Sequence, residues 1–151
     1  MSWDNWFKGE DCSFCAPLPD EHELWDKVVQ LEISTFVLAK NQAYLGTSVL
    51  IFDPRHVTRP GEMSSEEWGV FMQDVYRAEK ALYDILQPDH MNLAMLGWGV
   101  PHIHCGIFPR YRDDGRWGQS IWTTTKEEMV HIDLEEARRT KLMNDIRERL
   151  S

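Results

Sequence analysis

In GWGVPHIHCGIFPRYRDD, residues 97–114, two histidines stand on either side of Ile103 within a run otherwise suited to a buried strand. In a strand, residues i and i+2 share a face, so His102, His104 and Gly106 line one side and Ile103, Cys105 and Ile107 the other. The second set is the core set. The first faces something that tolerates imidazole. A solvent-facing pair on an edge strand would satisfy that, and so would a surface that holds a metal or a substrate. Upstream, MNLAML (Met91–Leu96) is a second apolar run, separated from the first by the tight GWG turn, so the two read as a pair of strands.

The rest of the chain fills in around that pair. At 151 residues it has room for one domain, 1–151, with a proper core. The first twenty-five residues read as irregular, with CAPLP carrying two prolines. KVVQLEISTFVLAK, Lys27 to Lys40, is rich in β-branched and aromatic residues and predicts two short strands or one bent one. KNQAYLG is a turn, and TSVLIF (Thr47–Phe52) suits a central strand that DPRH stops. Ser64 with Glu67 forms a capping-box pair, and Trp68, Phe71, Met72, Val75, Ala78, Leu82, Ile85 and Leu86 recur at helical spacing, ending near Gln87 before Pro88. A last helix is expected from about Asp133 to Leu150, with Asp133 and Glu136 as its capping pair. Strands, long helix, strands, helix: the class is α+β with a largely antiparallel sheet.

Charge narrows the function. The formal net charge of −9 repels phosphate backbones, which disfavours a nucleic-acid binder. It leaves room for a small nucleotide, because a local nest of backbone N–H groups can hold one phosphate against an acidic background. No apolar run reaches membrane-spanning length, and MSWDNWFKGEDC has neither a basic start nor an apolar core for export. The expected location is the cytoplasm, without membrane association, and three cysteines there are reduced, metal-bound or inert.

Cys12-Ser13-Phe14-Cys15 is a C-x-x-C, which serves either as a redox pair or as half of a tetrahedral zinc site. The redox use wants a helix N-terminus that lowers a thiol pKa, and Pro17 and Pro19 argue against an ordinary helix here. Zinc would need two further ligands, usually histidines, and His56 in DPRHV follows the TSVLIF strand. Taken singly, His56 is an exposed loop histidine and the two thiols are partly buried and inert.

From about Cys12 to Trp122 the chain resembles the histidine triad (HIT) superfamily of nucleotide hydrolases and transferases, and is most similar to its bacterial diadenosine-polyphosphate-hydrolase-like branch. The matching stretches are CSFC, KNQAYLG leading into SVLIF and RHV, MNLAMLGWGVPHIH, and PRYRDD followed by WGQSIW. The resemblance implies a HIT-like fold, a mostly antiparallel five-stranded sheet with one long and one C-terminal helix, assembled as a homodimer in which the apolar helix Ser64–Gln87 could serve the interface. It implies a structural zinc held by Cys12, Cys15, His56 and His102. It makes His104 the nucleophile, attacking the α-phosphorus of a small-molecule nucleotide at a phosphoanhydride, phosphoramidate or phosphosulfate bond. Asn92 corresponds to an asparagine that reaches the phosphate region, the GWG turn to phosphate-facing N–H groups, and Asn41 lies near where relatives bind the ribose. Hydrolysis is slightly preferred to nucleotidyl transfer. The alternative is a lapsed, nucleotide-binding member.

The departures from that pattern fall on the substrate side. Gly106 stands where the family has its third histidine, and is expected to leave room for a bulkier acceptor or leaving group. Trp98 and Gly99 replace an amide and a hydroxyl residue, weakening the phosphate grip while Trp98 offers a stacking surface. Cys105 is assigned to packing by parity, and Arg110 to a structural ion pair with Asp113 or Asp114. His22, His90 and His131 are expected at the surface, and the charges from Glu127 to Arg149 on a solvated helix face.

Overall fold

The protein is described from a computed structural model covering residues 2–15, 17–122 and 130–151. Five strands form one antiparallel sheet: β1 (Trp25–Gln30), β2 (Ser34–Ala39), β3 (Ser48–Phe52), β4 (His90–Ala94) and β5 (His104–Arg110), in the order β1-β2-β3-β5-β4. TSVLIF is indeed central. The first half of the sheet is a meander, because short turns suffice for antiparallel neighbours. The long helix α2 (Ser65–Leu86) then carries the chain to the far edge, and β4 returns through β5 to lie against β3. A short helix α1 (Trp3–Phe7) precedes the sheet and α3 (Glu136–Leu150) follows it. No helix among the described residues is long and apolar enough to cross a membrane.

Helix α2 starts where its sequence dictates: the Ser64 side chain accepts from the Glu67 N–H, and the Glu67 carboxylate accepts from the Ser64 N–H. It stops at Gln87, which adopts the left-handed conformation (φ 48°) immediately before Pro88. Its stripe of Phe71, Val75, Ala78 and Leu82 packs with Phe36, Leu38, Leu50, Phe52, Cys105 and Ile107 on one face of the sheet, and α3 adds Leu142, Ile146 and Leu150. That stripe, considered for a subunit interface, therefore closes the chain's own core. The large residues α2 leaves exposed are Tyr76 and Tyr83.

Two boundaries differ from the sequence reading. The N-terminal stretch is not wholly irregular, because the Ser2 side chain accepts from the Asn5 N–H and starts α1. At the other end, α3 begins at Glu136 and its N-cap position, Glu135, makes no side-chain cap bond, so Asp133 and Glu136 are not a capping pair. The reason lies just upstream. Asn41 and Gln42 hold the backbone of Val130 and Ile132 beside the β2–β3 turn, and Asp133 pairs with His131 instead. Nor is the charged C-terminal stretch purely solvated, although 127–129 lie outside the described residues. Arg139 reaches across to Asp26 and to the carbonyls of Leu38 and Ala39, while Leu142, Ile146 and Leu150 are buried.

The opposite face of the sheet positions the chemistry. Trp25, Val37 and Ile51 form a smaller apolar cluster there, covered by Phe14 and Leu18 from the N-terminal segment. Ile51 pairs with His104 and Val49 with Gly106, and directly opposed residues share a face. His104 and Gly106 therefore lie on this second face, with Cys105 and Ile107 in the core behind them.

Candidate functional site

Four side chains from distant parts of the chain converge at the end of the sheet. The ligand-competent atoms of Cys12, Cys15, His56 and His102 all lie within 4.8 Å of one another. Cys12 Sγ is 3.6 Å from His102 Nδ1, and Cys15 Sγ is 3.4 Å from His102 Nδ1 and 3.2 Å from His56 Nδ1. In a zinc tetrahedron with Zn–S near 2.3 Å and Zn–N near 2.0 Å, the sulfur-to-nitrogen edge is about 3.5 Å. The observed separations match that edge.

The second ring nitrogens fit the same purpose. His102 Nε2 donates to the Phe52 carbonyl at 2.7 Å, and His56 Nε2 donates to the Phe7 carbonyl at 3.0 Å. A carbonyl only accepts, so each Nε2 carries the proton and each Nδ1 turns a free lone pair towards the thiols. Gly9, at φ 84°, passes so close to the His56 ring that an added Cβ would lie 3.0 Å from its Cγ. Burial lowers the His102 pKa, which favours the neutral ligand form. Burial and the neighbouring Cys12 push the Cys15 thiol up to about 12, the mutual repulsion that a bound cation would relieve. The four residues thus suit a closed Cys₂His₂ metal site, fastening the N-terminal segment to the loop after β3 and the loop before β5.

His104 follows with a different set of contacts. Its Nδ1 donates to the His102 carbonyl at 2.6 Å, which leaves Nε2 with the lone pair. Burial lowers its pKa, so the neutral ring predominates at pH 7. The Phe14 ring stands edge-on to it at 5.3 Å and also meets His102 at 6.0 Å. A cavity of about 200 Å³ opens beside the two histidines, bordered by Thr58, Arg59, Met95 and Gly97. A larger hollow of about 620 Å³ lies between β1 and α3, away from both histidines; on its wall Asp26 pairs with both Lys40 and Arg139.

The remaining predicted positions divide. Asn92 shares the face of His104, opposite Phe108, but its carboxamide oxygen accepts from Arg110 at 3.1 Å. Arg110 is structural: it is buried, ion-paired to Asp114 at 2.6 Å, and bonded to the carbonyls of Arg116 and Gln119. Trp98 is 66% exposed; its indole meets Trp122 edge-on, and its carbonyl accepts from Trp3 Nε1. A Cβ at Gly99 would meet nothing within 4 Å. Asn41 is not brought to His104; its carboxamide bonds Ala43, Val130 and Ile132 beyond the far end of β2.

Gly106 is the main correction. It does not leave open space, because a Cβ there would lie 2.6 and 2.7 Å from two ring atoms of Phe108. The Phe108 ring folds back over the glycine and occupies the room. Phe14 and Phe108 are thus two site residues that sequence reading passed over. Parity places Phe108 on the His104 face, and Phe14 sits inside the C-x-x-C, so the signal was present for both.

No family model matches the sequence, and no curated protein is significantly similar to it. Solved structures are similar in fold. A histidine triad protein from Bradyrhizobium japonicum superposes with a TM-score of 0.78 at 20% identity, over 85% of this chain and 92% of that one. A hypothetical histidine triad nucleotide-binding protein from Sulfolobus tokodaii gives 0.66 at 21% identity, over 92% and 91%. A zinc-bound histidine triad family protein from Mycobacterium smegmatis gives 0.56 at 15% identity, over 95% and 88%. The chain has the α+β fold of the histidine triad proteins.

Proposed function

We propose that the chain is a nucleotide hydrolase or nucleotidyltransferase of the histidine triad superfamily, akin to its diadenosine-polyphosphate-hydrolase-like branch, acting through His104. One observation carries the reading: the hydrogen bond from Nδ1 to the His102 carbonyl, which leaves a neutral ring with Nε2 as its free nucleophile. The Nε2 lone pair forms a bond to the α-phosphorus, and the phosphorus–leaving-group bond breaks with its electron pair on the departing atom. That atom takes a proton from solvent. Water then adds to phosphorus, releases a proton to solvent, and returns the electron pair to Nε2, giving the nucleoside monophosphate. Hydrolysis is preferred to transfer because water needs no acceptor site of its own.

Zinc on Cys12, Cys15, His56 and His102 would supply a cross-link and no chemical step, since a closed four-ligand site has no open position. His102 serves both halves, because its side chain is a ligand and its carbonyl orients His104. A lapsed, binding-only protein is the second reading. It is favoured by the Asn92 carboxamide being held by Arg110 and by the absence of a side chain at Gly106.

Incubation with adenylyl and guanylyl phosphoramidate and phosphoanhydride donors, followed by intact-mass spectrometry, separates the two. The expected result is a nucleotidyl adduct that His104→Ala abolishes, with turnover falling on the order of 10⁴-fold or more while metal content is kept. An active His104→Ala protein refutes the mechanism. Binding without an adduct or turnover in the wild type supports the lapsed reading.

A further inference from the structure

Residues 3–15 form a strap across the metal site and the nucleophile, fastened at several points. Trp3 Nε1 donates to the Trp98 carbonyl at 3.2 Å, and the Phe7 carbonyl accepts from His56 Nε2 at 3.0 Å. Gly9 lies against the His56 ring, and Cys12 and Cys15 face His102 and His56. Between the two cysteines, Phe14 packs on Trp25, Val37 and Ile51 and sets its ring edge-on to His104 at 5.3 Å. The strap has little structure of its own. Its helix α1 is five residues long and buries none of them, and a helix that short does not stand alone in water. The strap therefore depends on its attachments.

The C-x-x-C has a second chemistry that a closed metal site does not use. Cys15 donates its N–H to the Cys12 carbonyl at 3.1 Å, so the two stand at the first and last positions of a hydrogen-bonded turn. Such a turn brings its end Cα atoms within about 7 Å, and a disulfide spans Cα separations up to about 6.8 Å. The two sulfur atoms lie within 4.8 Å of each other. Cys12 is buried and Cys15 exposed, so an oxidant meets one thiol with the other behind it. Cys105 is buried in the core on the opposite face of the sheet. A metal-coordinated thiol is deprotonated, which is the form that oxidants attack.

We infer that Cys12 and Cys15 are a peroxide-sensitive clasp: a hydroperoxide joins them, the metal leaves, and the strap with Phe14 is released from His104. The Cys15 thiolate forms a bond to a peroxide oxygen, and the O–O bond breaks with its electron pair on the departing hydroxide. The Cys12 thiolate then bonds to Cys15 Sγ, the S–O bond breaks, and a second hydroxide leaves. Two thiolates are oxidised to one disulfide, and one peroxide is reduced to two hydroxides. The four-ligand site loses half its ligands, and two imidazoles alone do not complete a tetrahedron. The clasp rests on the metal reading of the four residues, and its consequence for turnover on His104 being the nucleophile.

The test treats zinc-loaded protein with hydrogen peroxide and follows zinc release with a chromogenic chelator. The tryptic peptide 9–27, which holds both cysteines, should become about 2 Da lighter through loss of two hydrogens, while peptide 81–110, with Cys105, stays unchanged. Zinc should leave in step with the disulfide. Brief trypsin treatment of the folded protein should cut after Lys8 once oxidised and spare it before, because the strap then opens locally. In proton NMR the His104 ring signals should move towards those of Phe14→Leu, having lost the ring current of Phe14. Dithiothreitol with added zinc should reverse all of these changes. Protein that takes up no zinc, that keeps it under peroxide, or that loses it without the disulfide overturns the inference. So does a disulfide that leaves Lys8 protected and the His104 signals unmoved. None of these readouts needs turnover: a chain that forms no nucleotidyl adduct yet responds in this way refutes the nucleophile and keeps the clasp.

Discussion

His102 and Gly106 lie two residues to either side of His104, and the protein is built differently around each. On the His102 side, two thiols and a second imidazole converge at ligand distance, and two backbone carbonyls fix the ring tautomers. On the Gly106 side, the Asn92 carboxamide and Arg110 are engaged with each other, and among the described residues a phenyl ring and two indoles border Gly106 and the surface beyond it. A closed metal site tolerates no vacancy, because each missing ligand leaves the remaining ones crowded and unsatisfied. A binding wall is specified by shape, so its residues can be of another chemical kind without disturbing the sheet beneath. The difference separates a side built as a closed set of ligands from a side built as an aromatic wall.

The largest effect should come from breaking the His102 side. Purified protein is expected to carry about one zinc per chain. His102→Ala or Cys12→Ser should lose it and cost more than about 3 kcal/mol of stability, since structural zinc contributes on the order of 10 kcal/mol to folding in small domains. Metal analysis with thermal unfolding reads both. Full zinc content in His102→Ala, or its loss in His104→Ala, would erase the contrast between ligand and nucleophile.

The next effect tests whether the Gly106 side is braced by Arg110 and Asp114. Burial would raise the Asp114 carboxyl, but hydrogen bonds from Arg110 and from the Arg116 and Tyr111 N–H groups outweigh it and hold it below the usual range. A depressed carboxylate stabilises the fold above its unfolded pKa, about 3.9 for Asp, and that contribution disappears as pH falls through the folded value. Asp114→Asn should therefore cost about 3–5 kcal/mol at neutral pH, the cost of leaving a buried guanidinium unpaired. The gap in Tm between the two proteins should narrow as pH falls below about 4, where the unfolded chain takes up the proton first and the folded Asp114 carboxyl follows at a lower pH. A gap independent of pH would mean that the pair's charge is not what matters.

The two sides were also unequally legible in the sequence. Period-two alternation sufficed to put His104 and Gly106 on one face with Cys105 and Ile107 behind, and Ser64 with Glu67 fixed the start of α2. Local rules sufficed because the interactions are local. Convergence of Cys12, Cys15, His56 and His102 could be read only through the resemblance, since 90 residues separate Cys12 from His102. Nothing local says that the Phe108 ring turns back over Gly106, where it also meets Trp122. Nor does anything local say that Asn41 turns its carboxamide to Val130 and Ile132, which also displaces the start of α3 from Asp133.

The smallest effect is the most specific to the Gly106 side. Real Cβ atoms do not sit 2.6 Å from a ring carbon, so Gly106→Ala must move Phe108, and Trp122 resists that movement. Overpacking of this sort costs about 1–3 kcal/mol. Phe108→Ala removes the obstruction but also a half-buried ring, so it carries a cost of its own. If the two residues interact as described, the double variant should be more stable than the sum of the single costs predicts, by about 1 kcal/mol or more. Urea unfolding of the four proteins measures this coupling. Gly106→His extends the cycle, because an imidazole there meets the same ring. In the Phe108→Ala background the ring is gone and Gly106→His should be tolerated; with Phe108 present it should destabilise the protein. Additive costs would mean that Phe108 swings away freely, and that the space beside His104 belongs to the substrate after all.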